Sequence, residues 1–81
     1  MTNRIITRAQ QVISEYHTND PRIIADTLGI VRVKMPLGNM RGFIRGHNGR
    51  FGMVINDALT LPQELLTTAH ELGHYFLHDG Q

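Results

Sequence analysis

The chain has 81 residues, eight Lys and Arg against seven Asp and Glu, and no cysteine. That length allows one domain with a thin core, in which a bound metal would matter to folding, and the singly scattered basic residues argue against a nucleic-acid partner. Disulfides and thiolate metal sites are excluded, leaving histidine and carboxylate as ligands, and with no apolar leader or bilayer-length stretch the expectation is a cytoplasmic protein with no membrane partner.

Ile5, Ile6, Ala9, Val12, Ile13 and Tyr16 recur at helical spacing behind Thr2, a residue suited to an N-cap, and predict a first helix from Asn3 to about His17. Asp20-Pro21 then opens a short second helix, whose apolar face of Ile23, Ile24 and Leu28 ends at Gly29. Ile30, Val31, Val33 and Met35 are β-prone and partly alternating, and the stretch from Pro36 to Asn39 ends that strand.

A hairpin over residues 40–56 follows, turning at Asn48-Gly49, a pair that favours a two-residue type I′ turn. This turn sets Ile44 opposite Met53 and Gly42 opposite Ile55. Met40, Ile44, Phe51, Met53 and Ile55 then form the core face, and Arg41, Phe43, Arg45, Val54 and Asn56 the other. Gly42, Gly46 and Gly52 mark either a bulge, a close backbone approach, or simply a twisted surface hairpin.

Thr60, with Gln63 three residues on, reads as a capping box for the last helix, and Leu65, Ala69, Leu72 and Phe76 as its core stripe. Within it His70-Glu71-Leu72-Gly73-His74 satisfies HExxH. Histidines four apart share one helical face, so both rings can converge on one zinc ion while Glu71 serves as general base toward the water. On this reading His70 and His74 lie beside the stripe and Glu71 further round on the polar side. Gly73 lowers helix stability by about 1 kcal/mol relative to alanine, which tight packing against it would explain.

Taken together, the helix opened by Asp20-Pro21, Leu28-Gly29-Ile30, Arg41-Gly42-Phe43, Ile55-Asn56 and Thr68-Ala69-His70-Glu71-Leu72-Gly73-His74 resemble, in that order, the ImmA/IrrE family of zinc metallo-endopeptidases. The resemblance covers the whole chain; its AHELGH segment is specific to zincin-type helices, whereas the upstream elements count only by their order. It implies a single zincin-like domain over residues 1–81. The expected fold is α+β: two N-terminal helices, a small antiparallel sheet of about three strands, and a C-terminal HExxH helix. It further implies a Zn2+ peptidase that cuts a helix-turn-helix repressor of a phage or mobile element, with His70 and His74 as zinc ligands and Glu71 as general base.

Members of that family carry an acidic third ligand on a further helix, and this chain ends at Gln81. His78 is a poor substitute. Its Cα lies ~12 Å along the helix from that of His70, too far for one zinc held at ~2.1 Å by each ring. Asp79, Asp57, Asp26, Glu15, His17 and His47 are candidates only if the fold delivers them. Tyr75 and Arg45 are candidate oxyanion donors, with packing and solvated strand roles as the simpler readings. Three readings stay open: a zinc endopeptidase, C-terminally truncated or borrowing a ligand; a catalytically impaired descendant acting as a metal- and protein-binding module; and a small α+β domain in which the motif is accidental.

Overall fold

The computed structural model describes residues 19–78, so the helix expected over Asn3 to His17 lies outside the described residues. The elements are α1 (Pro21–Thr27), β1 (Val31–Met35), β2 (Gly42–His47), β3 (Arg50–Asn56) and α2 (Leu61–His78), an α+β arrangement. Asp20 caps α1 by accepting the N–H of Arg22, and Pro21 occupies the first turn. Gly29, at φ 78°, closes it. Ile30 N–H reaches Ala25 O and Gly29 N–H reaches Asp26 O, the two bonds of a Schellman motif. This turn delivers Ile24, Ala25 and Ile30 to the core.

The sheet is mixed, not antiparallel throughout. Its order is β1-β3-β2; β1 runs parallel to β3, and β2 pairs antiparallel with β3. Because β1 and β2 flank β3, the chain between them must cross the end of β3, and Asn56 holds that crossing. Its side-chain N–H₂ donates to Gly38 O at 2.9 Å and Met40 O at 2.8 Å, and its Oδ1 accepts from Ala58 N–H. A side chain placed on the solvent face by strand alternation is thus buried. In the hairpin Gly42 faces Ile55 and Ile44 faces Met53, and Asn48 and Gly49 both take the positive φ that a type I′ turn needs.

Helix α2 lies across one sheet face. Thr60 N–H donates to Gln63 Oε1 at 2.9 Å and Gln63 N–H to Thr60 Oγ1 at 3.4 Å, a reciprocal cap for its first turn. Met53 and Ile55 are fully buried beneath it, with Ile24, Leu72 and Phe76 around them. Two sequence expectations fail here. Met40 is exposed because it belongs to the crossing loop rather than to β2, and the buried stripe of α2 is rotated from the expected one: Ala69 is exposed, while Glu64, Thr67, Thr68 and Glu71 are buried with Leu72 and Phe76.

The rotation has a visible cause in β1, where polarity is inverted relative to the core. Val31, Val33 and Met35 stay exposed on the far face, while Arg32 and Lys34 meet Glu64 of α2 at 3.0 and 2.7 Å. Gly42 lets β2 approach the same helix. A Cβ there would come within 2.7 Å of Val54 O and 3.0 Å of Thr67 Cγ2.

Candidate metal centre

One helical turn separates His70 from His74, which directs both rings to the same side of α2. Their Nε2 atoms lie 3.0 Å apart and the rings stand edge to face, 4.6 Å between centroids. Two imidazole nitrogens bound to one tetrahedral zinc at ~2.0–2.1 Å each would sit roughly 3.4 Å apart. The separation between the two nitrogens is within a few tenths of an ångström of that value, and without a metal the two rings are within hydrogen-bonding distance of each other. His70 is exposed and His74 half-buried, so the pair is open to a cation from solvent.

Glu71 does not lie on the polar side of α2. It is 8% exposed, because the helix settles with the Glu64, Thr68, Leu72 and Phe76 row toward the sheet and carries Glu71 inward beside it. It lines a cleft of about 510 Å³ together with Arg41, Gly42, Leu66, Thr67 and His70. Among the described residues its carboxylate takes no hydrogen bond or ion pair. Its carboxylate shares that cleft with His70.

Two other carboxylates behave differently. Lys34, and with it Arg32, holds the Glu64 carboxyl below the usual glutamate range against the opposing effect of burial. The hydrogen bonds from Arg22 bring half-buried Asp20, which lines a different hollow, down to about 2. Both are committed to structural ion pairs, so Glu71 alone of the three is left for a proton or a substrate.

Among the described residues no set of three His, Asp or Glu side chains is placed to hold a metal. Asp26, His47 and Asp57 are not brought to the histidine pair, while Glu15, His17 and Asp79 lie outside the described residues. His70 and His74 fit a metal as two of its ligands. Tyr75 packs edge-on against Phe51 at 5.0 Å and, with the hairpin tip, lines a different hollow. Arg45 lies over Phe43, its guanidinium carbon 5.7 Å from the ring centroid. Neither lines the cleft that holds Glu71. Asn56 was missed as an organiser of this region. The sequence signal was its place at the end of a strand just upstream of an Asp, where side-chain amides commonly bind turning backbone.

Among the described residues no helix is long and apolar enough to cross a membrane. Residues 25–81 match the model of Peptidase_M78, described as the IrrE N-terminal-like domain. Over 71 residues the chain is 34% identical to the metallopeptidase ImmA of Bacillus subtilis (strain 168), an alignment covering 88% of this chain and 42% of that relative. The chain thus spans less than half the length of the curated relative it matches. No solved structure matches it.

Proposed function

The chain belongs to the Peptidase_M78 family of IrrE N-terminal-like domains, and on that premise we propose that it is a zinc-dependent endopeptidase domain acting on a protein substrate in the cytoplasm. The observation that carries the reading is the convergence of His70 and His74 at 3.0 Å beside the buried Glu71. Together they place two imidazole donors within one helical turn of each other and a carboxylate that shares a cleft with His70.

In this reading His70 and His74 hold the zinc as two of its protein ligands. When bound, the metal supplies Lewis acidity toward the scissile carbonyl and toward water. Glu71 receives the proton of the attacking water and delivers it to the leaving amine, a transfer that its place in the cleft supports. Substrate lies extended along β2, which is an edge strand, so that backbone hydrogen bonds hold it independently of its sequence. Following the family resemblance, the substrate is a helix-turn-helix repressor of a phage or mobile element.

A second reading is favoured by one specific observation, the presence of only two imidazole donors and no third ligand among the described residues. On it, the chain is a metal- and protein-binding module without turnover. Comparing the unaltered chain with Glu71→Gln in a zinc-supplemented peptide-cleavage assay decides between them. The peptidase reading expects Glu71→Gln to lose at least about a hundredfold in rate with zinc uptake intact. Uptake by both chains with no hydrolysis by either would establish the binding module.

A further inference from the structure

The sheet that borders the cleft is cationic and has nothing acidic of its own. Between Thr27 and Asn56 the chain contains Arg32, Lys34, Arg41, Arg45 and Arg50 and no Asp or Glu. Arg32 and Lys34 are taken by Glu64. The other three are exposed and form no ion pair among the described residues.

Two of these, Arg41 and Arg45, border the free β2 edge, and Arg50 begins the central strand β3 at the hairpin tip. Arg41 immediately precedes β2, lines the cleft with His70 and Glu71, and has its backbone fixed by the Asn56 N–H to Arg41 O bond at 2.8 Å. Arg45 lies within β2, held over the Phe43 ring. Arg50 stands opposite His47 at the far end of the hairpin. A strand added to this edge would turn its side chains alternately to the two faces of the sheet; Arg41, just outside β2, lies on the cleft side, and Arg45, paired with Gly52, lies on the face turned away from Met53 and Ile55.

We propose that the β2 edge selects an acidic peptide segment, with Arg41 and Arg45 as specificity-determining residues that pair with Asp or Glu on the two opposite faces of the bound strand. A nucleic acid would use the same charges but would gain nothing from the strand edge or from the cleft beside it, so the peptide is the favoured occupant. This inference rests on the peptidase reading for the place where the segment lies.

Binding can be measured without turnover. A fluorescently labelled extended peptide carrying Asp on both of its strand faces, and its Asn counterpart, are titrated into the 81-residue Glu71→Gln chain and followed by anisotropy. The expected preference for Asp is about fivefold for each arginine engaged, the size of one exposed ion pair, and it should shrink as salt rises. Arg45→Glu and, separately, Arg41→Glu should each reduce or reverse it, while Arg45→Gln should abolish only its share. Equal binding of the two peptides, no binding of either, or complete displacement of the Asp peptide by an equally charged oligonucleotide would overturn the proposal. The peptidase reading is judged separately, by Glu71-dependent hydrolysis in the unaltered chain. Asp preference without hydrolysis therefore sinks that reading alone, and hydrolysis indifferent to peptide charge sinks this one alone.

Discussion

The guanidinium of Arg32 reaches Oε2 of Glu64 at 3.0 Å, tying the parallel edge strand β1 to the first turns of the helix that carries His70 and His74. Glu64 is the common partner of two cations, and it is the more buried member of both pairs. Arg32 also carries a buried Nε with no hydrogen-bond partner, so its charge depends on this one carboxylate. Removing Glu64 as Glu64→Ala should lower unfolding free energy by about 3 kcal/mol, the range for breaking a buried pair. Lys34→Ala, whose amine is largely exposed, should cost under about 1 kcal/mol. Urea denaturation of the two variants checks both values.

The same pair sets an acid limit. The folded-state pKa of Glu64 lies below the ordinary value of 4.5, chiefly through Lys34. Its contribution to stability is therefore complete above that ordinary value and is lost as pH falls through the folded one. Denaturation midpoints of the unaltered chain and Glu64→Gln should differ most at neutral pH and draw together on acidification below the ordinary value. A constant difference down to strongly acid pH would show that the ion pairs do not hold the helix.

Asn56→Ala should release the crossing between β1 and β2. It removes two side-chain donor contacts to Gly38 O and Met40 O and one acceptor contact to Ala58 N–H. At about 1 kcal/mol for each net hydrogen bond, the expected loss is about 2–3 kcal/mol. Faster amide exchange at Arg41 and Gly42 would show that the loosening reaches the cleft wall.

Gly42→Ala should destabilise by about 1–3 kcal/mol, the usual cost of overpacking. The added Cβ meets Val54 O, a backbone atom that cannot step aside, as well as Thr67 Cγ2. Thr67→Ser combined with Gly42→Ala should recover only the part due to the Cγ2 contact. Thermal melts of the single and double variants measure the split.

Zinc should raise the melting temperature of the unaltered chain in a concentration-dependent manner, since a ligand that binds only the folded state stabilises it by mass action. His70→Ala and His74→Ala should each abolish the shift, and a chelator should reverse it in the unaltered chain. An equal zinc shift in both variants would place the metal elsewhere.

Much of this arrangement was legible because it is governed by local rules. Asp20-Pro21 and Gly29 bound α1 through a side-chain cap and a positive φ, and residues four apart on α2 must share a face whatever surrounds them. Less local features escaped. Pairing of β1 with β3 in parallel depends on a loop crossing a strand end, and a β-prone run carries no mark of its neighbour's direction. The alternation of Val31, Val33 and Met35 with Arg32 and Lys34 reads as apolar-in, yet Glu64 makes the cationic row the one that faces the helix.

The sequence by itself determined that His70 and His74 lie one turn apart with Glu71 between them, because helical periodicity acts within a few residues. Only the tertiary structure decided which way that helix faces. The seat of α2 on Met53 and Ile55, the close approach at Gly42 and the ion pairs of Glu64 together turn Glu71 from the solvent side into the cleft. Those contacts join residues far apart in the chain, and their summed packing and electrostatic energy outweighs the hydrophobic period along the helix that would have buried Ala69.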